Sequence, residues 1–203
     1  MNSLTMILCT HDRPKEAERV IGELLEQKYT LCDRIKMRIT CVTHNIKDAP
    51  YKHKESYTHL VNKELGWAKS LDYGIRRCET DWFGFVNDDS LFPQRDWLSR
   101  AVERIKFSPY PVKLLGFNDG RNQGRWCSLG LCETQWYLEQ YIIPQPYNHY
   151  GLDNEMKNIA DIQGLWHYAN TIRVVHDFDP NRVNRTFKRK DYALYKRRNP
   201  NFD

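Results

Sequence analysis

Two adjacent carboxylates, Asp88 and Asp89, follow Asn87 at the end of the apolar run Trp82-Phe83-Gly84-Phe85-Val86. Such a run bounded by polar residues reads as a buried strand, and in open α/β sheets ligands bind beyond the carboxyl ends of strands. Neighbouring carboxylates repel each other unless a cation or solvent relieves them. A hard divalent ion with oxygen ligands does so and can in turn hold a diphosphate. The plain alternative is a polar turn, in which Asn, Asp and Ser are ordinary.

A second polar group, Thr10-His11-Asp12-Arg13, closes the run Leu4–Cys9 just before Pro14. Pro14 suits the first turn of a helix, whose N-terminus favours anions, and Arg13 is a natural diphosphate or nucleotide contact. Asp12 can also be read as a helix cap. Farther on, Gly66-Trp67-Ala68-Lys69-Ser70-Leu71-Asp72-Tyr73-Gly74 puts Lys69 and Asp72 three apart on one helix face. As an isolated feature that spacing reads as a solvated ion pair.

The elements that carry these groups follow from hydrophobic spacing. Ala17, Val20, Ile21, Leu24 and Leu25 recur at helical intervals between strands at Leu4–Cys9 and Met37–Thr43. This β-α-β unit implies parallel strands in a layered α/β domain. The stretch from His44 to Tyr57 reads as a loop, Trp67–Arg77 as a helix and Trp82–Val86 as a third strand. A helix at Trp97–Ile105, strands at Lys113–Phe117 and Trp126–Cys132 and a helix at Trp136–Tyr141 come next. After a loop with Pro144 and Pro146, a helix from Asp153 and a strand at Ile172–Val175 complete the domain.

Taken in order, strand–Thr-His-Asp-Arg-Pro–helix, Gly-Trp-Ala-Lys-Ser-Leu-Asp-Tyr-Gly-Ile and Phe-Val-Asn-Asp-Asp-Ser resemble the GT-A glycosyltransferases of the family-2 type. The resemblance runs from Thr5 to about His176. It implies a single Rossmann-like GT-A domain, with a mostly parallel central sheet flanked by helices. It implies that Thr10, His11, Asp12, Arg13, Lys69, Asp72, Asn87 and Asp88 bind the nucleotide part of a donor. Asn87-Asp88-Asp89 matches the family's DxD-like motif, with Asn in place of the frequent first Asp. Asp89 and His176, the latter closing Thr171-Ile172-Arg173-Val174-Val175-His176, would hold Mn²⁺ or Mg²⁺. An imidazole beside carboxylate oxygens suits Mn²⁺ somewhat better. Gly151-Leu152-Asp153-Asn154-Glu155-Met156 matches the acidic motif whose aspartate is the base of inverting members, so Asp153 is the catalytic residue implied. As a residue at a helix start, Asp153 can equally be an N-cap.

The activity implied is transfer of a sugar from a nucleoside-diphosphate sugar, a UDP-sugar favoured, to an acceptor hydroxyl with inversion. A metal-dependent nucleotidyltransferase shares the paired carboxylates. A glycosidase needs two carboxylates but neither a nucleotide turn nor a cation. Acceptors compatible with the aromatic second half (Trp126, Trp136, Tyr137, Tyr141, Tyr147, Tyr150, Trp166 and Tyr168) are a saccharide, a lipid-linked glycan or a modified DNA base.

Composition frames these readings. The chain has 203 residues, 40% hydrophobic and 28% charged, which is ample for one folded domain and contains no apolar run that would span a membrane. Early charges and six cysteines without a CxxC pair predict a cytoplasmic protein with reduced thiols and no structural zinc. The formal charge is +5, but Arg182–Arg198 holds eight Lys/Arg against Asp191 alone and leaves the rest of the chain slightly acidic. Residues 1–180 are therefore read as the domain and 181–203 as a basic tail. The tail could lie on an anionic membrane surface, track DNA or simply be solvated. If it carried the function, the protein would be a nucleic-acid binder.

Overall fold

The computed structural model describes residues 1–31, 35–64, 66–140, 147–176 and 185–200. Strand β1 (Ser3–Thr10) is buried along almost its whole length because a parallel neighbour lies on each side. These neighbours are β2 (Lys36–Thr43) and β4 (Trp82–Asn87). Its side chains alternate between faces, as a two-residue period requires. Leu4, Met6 and Leu8 join one core, whereas Ile7 and Cys9 join the other.

The first core lies under α1 (Pro14–Leu31) and α3 (Trp97–Lys106), which bury Ala17, Val20, Ile21, Leu24, Trp97, Leu98 and Ala101. The opposite core is closed by α2 (Trp67–Ile75), α4 (Thr134–Glu139), α5 (Leu152–Ile162) and α6 (Arg185–Arg198). Helix α2 approaches the sheet closely at Gly74. A Cβ there would come within 2.9 Å of Ile7 Cγ2 and 3.2 Å of Val42 Cγ2.

The large sheet runs β3-β2-β1-β4-β7-β6-β8, with β3 at Thr58–Val61, β6 at Leu114–Asn118, β7 at Gly130–Glu133 and β8 at Trp166–Arg173. Only β7 is antiparallel to its neighbours. The expected mostly parallel sheet flanked by helices is therefore present. Strand order reverses direction between β1 and β4, which puts their carboxyl ends side by side with Cys9 opposite Asn87. A two-stranded ribbon, β5 (Ser90–Leu91) with β9 (Val175–His176), sits beyond that edge.

Several boundaries differ from the sequence reading. β3 was not expected: it is four residues long, exposed or half-buried, and has no apolar alternation to reveal it. The strand expected at Trp126–Cys132 begins only at Gly130, because residues 119–128 form a turn held by Asp119. The strand expected at Ile172–Val175 is longer and earlier. It is β8, a half-buried edge strand whose register shifts at Phe117/Asn118, so its pattern is diluted. Helix α2 stops at Ile75 and α4 starts at Thr134. Tyr141, Pro144, Pro146, Arg182 and the boundary at residue 180 lie outside the described residues. Among the described residues, no helix is long and apolar enough to cross a membrane.

Ile7 is fully buried between β2, β4 and α2. Ile7→Ala is expected to lower the unfolding free energy by about 2–5 kcal/mol, read as a lower urea midpoint at unchanged slope.

Candidate active site

The carboxyl ends of β1, β4 and β6 open into a cleft of about 810 Å³, within the range of small-molecule sites. A separate groove of about 610 Å³ between α3 and β8 contains none of the candidate site residues. Chemistry therefore concentrates in the first.

At its floor the two adjacent carboxylates have different surroundings. Asp88, only 8% exposed, accepts from Thr10 Oγ1 at 2.8 Å and from Arg13 Nη1 at 2.8 Å. Burial raises its pKa, and those two donors pull the other way. Arg19 Nη2 also donates to its carbonyl at 3.2 Å. Both carboxylate oxygens of Asp88 are thus engaged in joining the end of β1 to the end of β4.

Asp89 faces the other side of the turn. Its Oδ1 is buried, makes no hydrogen bond and lies 3.0 Å from His176 Nε2. His176 reaches this place because Ser90 pairs with it in the β5–β9 ribbon. Asn87 Nδ2 is 3.4 Å from the same imidazole nitrogen, and Asn87 Oδ1 is buried without a partner. A buried carboxylate oxygen with no donor, set about 3 Å from an imidazole nitrogen, fits two ligands of one ion bound at about 2.1 Å. The mixed O/N set suits Mn²⁺, and Mg²⁺ commonly completes such a shell with substrate phosphates.

Asp153 lines the same cleft from the first turn of α5. The N-cap of α5 is Gly151, at φ 96°, so Asp153 is not the capping residue. Burial pushes its carboxyl up to about 6, against backbone N–H groups and the charge of His176. It is therefore mostly ionised at neutral pH and basic enough to take a proton.

Not every sequence candidate converges here. His11 lines the cleft, with Nε2 3.1 Å from Asp12 and Nδ1 3.7 Å from the buried Asp48. Its ring meets His44 edge-on at 5.3 Å between centroids. Asp12 is exposed in a left-handed turn at φ 56°. Among the described residues, His11, Asp12 and Asp48 form a three-donor group, on the outer side. Lys69 and Asp72, expected to bind nucleotide, are not among the residues that line the cleft. They do not pair with each other either. Lys69 bonds Glu64 at 2.8 Å, whereas the buried Asp72 accepts from Arg76 Nε at 2.8 Å and Tyr137 Oη at 3.1 Å. Asp72 joins α2 to α4, a structural task.

The sequence reading missed Asp119, Trp67, Ser70, His149 and Lys188, all of which line the cleft. Asp119, 5% exposed, accepts from the amides of Arg121 at 2.9 Å and Asn122 at 2.8 Å and from Ser128 Oγ at 3.1 Å. It had a signal: Phe117-Asn118-Asp119 ends an apolar strand just as Val86-Asn87-Asp88 does. His149 accepts the Trp67 N–H at 3.1 Å, and a Cβ on Gly66 would meet Asn148 O at 1.8 Å. These contacts exist only once the chain has folded.

The family model of glycosyl transferase family 2 matches residues 5–164. The chain belongs to that family. Solved glycosyltransferases share its fold. A mannosyltransferase from Pyrobaculum calidifontis, in complex with GDP-Man and Mn²⁺, superposes with a TM-score of 0.70 at 16% identity, covering 96% of this chain and 64% of its own. The present chain thus spans less than two thirds of that relative. Glucosyl-3-phosphoglycerate synthase from Mycobacterium tuberculosis, with Mn²⁺, UDP and glucosyl-3-phosphoglycerate, gives 0.69 at 11% identity, covering 97% and 80%. Mannosyl-3-phosphoglycerate synthase from Rubrobacter xylanophilus gives 0.68 at 11%, covering 98% and 74%. No curated protein matches by sequence. This family-2 chain therefore shares its fold with these solved enzymes at only 11–16% identity.

Removing Arg13 leaves the buried Asp88 carboxylate without its cation. Arg13→Ala is expected to destabilise the fold by about 1–3 kcal/mol in chemical denaturation, whereas Arg13→Lys recovers part of the loss.

Proposed function

We propose that the protein moves a sugar from a nucleoside-diphosphate sugar to an acceptor hydroxyl, with inversion and with a divalent ion. The observation that carries this reading is the cleft in which Asp89, His176 and Asp153 meet, with Asp89 Oδ1 buried and undonated 3.0 Å from His176 Nε2. Family membership supports the reaction class. The fold relatives supply the donor class, since they were solved with GDP-Man, UDP or UDP-Glc and with Mn²⁺ or Mg²⁺. A UDP-sugar is the favoured donor.

Asp89 and His176 are the residues that would hold the ion. When bound, Mn²⁺ or Mg²⁺ supplies positive charge against the departing diphosphate. The protein's own groups do the rest. Thr10, Arg13, Asn87 and Asp88 form the floor on which the nucleotide is oriented, with the His11 and His44 rings beside it. Asp153 takes the acceptor's hydroxyl proton as that oxygen bonds to the anomeric carbon, while the carbon–oxygen bond to the diphosphate breaks on the opposite face. Single displacement inverts the centre. The free thiols Cys9, Cys41, Cys78, Cys127 and Cys132 suit a reducing cytoplasm. The exposed Arg189, Lys190, Lys196 and Arg197 on α6 keep an acceptor on an anionic surface, a lipid-linked glycan or modified DNA, within this reading.

The test is a panel of nucleotide sugars scored for nucleoside diphosphate release with Mn²⁺, with Mg²⁺ and with chelator. Release that chelator abolishes is expected; release of inorganic diphosphate would instead identify a nucleotidyltransferase, and no turnover of any donor refutes the reading. Asp89→Ala is expected to abolish the rise in melting temperature that UDP and Mn²⁺ produce together.

Asp153→Asn should keep donor binding and reduce transfer by at least about a hundredfold. In the wild type, protonation of Asp153 switches off the base. Its kcat/KM should therefore fall tenfold per unit at pH below about 6, or lower still where a bound cation stabilises the carboxylate. Asp153→Asn should lack that limb.

A further inference from the structure

The basic C-terminal segment contains a helix locked onto the cleft by one acid. Asp191, the only carboxylate between Arg182 and Arg198, is 1% exposed. Its Oδ1 accepts from the Asn148 amide at 3.0 Å and from Asn148 Nδ2 at 3.2 Å. Its Oδ2 accepts from the amides of His149 at 2.8 Å and Tyr150 at 3.0 Å. Three successive backbone N–H groups thus form an anion-binding nest, filled by a side chain of α6.

Further along α6, Tyr195 is buried and Asn158 Nδ2 donates to its hydroxyl at 2.6 Å. Arg198 Nε then donates to the buried Glu155 at 2.8 Å. Residues 191, 195 and 198 recur at helical spacing, so one stripe of α6 holds the helix to α5 and to the loop before it. Residue 188 lies one turn earlier on that stripe. Lys188 lines the cleft that also contains Asp153, Asp89, His149 and Tyr150. Among the described residues, no carboxylate pairs with Lys188. Two guanidinium groups also line the cleft: Arg13 is committed to Asp88, and Arg121 belongs to the turn that Asp119 closes.

We propose that Lys188 binds a phosphate group of the substrate, and that Asp191 is the positioning residue that sets Lys188 and the His149–Tyr150 wall. The ammonium is a compact charge with three donors, suited to phosphate oxygens. Its anchored backbone reduces the ordering cost of binding. The phosphate has two possible sources: the diphosphate of the donor or a phosphate on the acceptor. The assignment to these substrates rests on the glycosyltransferase reading; the anion site itself does not.

Titration calorimetry on the full chain separates these points, using pyrophosphate, UDP with Mn²⁺, GDP with Mn²⁺, and inorganic phosphate added to protein saturated with UDP and Mn²⁺. Lys188→Ala is expected to weaken at least one of these about tenfold, and Lys188→Arg to restore most of it. Loss with UDP or GDP assigns the donor diphosphate. Loss confined to inorganic phosphate on the nucleotide complex assigns the acceptor. Asp191→Asn, which keeps the side-chain shape but not the charge, should reproduce part of the loss with Lys188 intact and with the melting transition still cooperative. Wild-type affinity of Lys188→Ala for every probe, or no binding of any probe to the wild type, overturns the proposal. Pyrophosphate binding that depends on Lys188, without binding of UDP or GDP, upholds the anion site and counts against the donor reading instead.

Discussion

The site depends on the Asp88 carboxylate, which ties the ends of two neighbouring strands together. β1 and β4 lie next to each other where the strand order reverses, so their last residues would otherwise diverge into separate loops. Asp88 prevents this by accepting from Thr10 and Arg13 on the β1 side while sitting on the β4 side. A buried carboxylate is costly unless it is paired and hydrogen-bonded. Here a guanidinium and a hydroxyl offset that cost.

The adjacent acid depends on this division of labour. With Asp88 taking the hydrogen bond from Arg13, Asp89 keeps its Oδ2 4.0 Å from Arg13 Nη1 and presents its buried Oδ1 to His176. Two like charges in sequence are separated by giving each a different environment. His176 arrives from 87 positions later through a ribbon of only two residues per strand. Its place is therefore set by β5 and β9 rather than by the main sheet. Asp153 joins the cleft from the first turn of α5, whose N-cap is Gly151.

The second anchored acid, Asp191, works in the same way on the far side of the cleft. In both cases a carboxylate with both oxygens hydrogen-bonded fixes chain that then presents other residues to the cavity. Asp88 holds the floor, and Asp191 holds the wall made by His149 and Tyr150. Asp119 does so locally, by closing its own turn. Carboxylates here serve structure as often as chemistry, and residue type alone does not tell which.

The sequence alone determined the layered α/β architecture, because buried parallel strands read as continuous apolar runs and α1 carries an unbroken helical stripe. It also put the acids closing β4 and the Thr10–Arg13 turn at strand ends, whereas Asp153 and His176 were singled out only by the resemblance to family-2 GT-A enzymes. Edge strands β3 and β8 escaped it, because half-buried residues carry little periodicity. Lys69 and Asp72 share a helix face by their spacing, yet they do not pair: Lys69 bonds Glu64, and Asp72 takes Arg76 one helical turn on and Tyr137 from α4. Only the tertiary structure decided which acid braces the fold and which faces the cleft, and only it brought Lys188 and Asp191 to the loop before α5. Those outcomes depend on contacts across about 40 to 90 residues, where no local periodicity exists to be read.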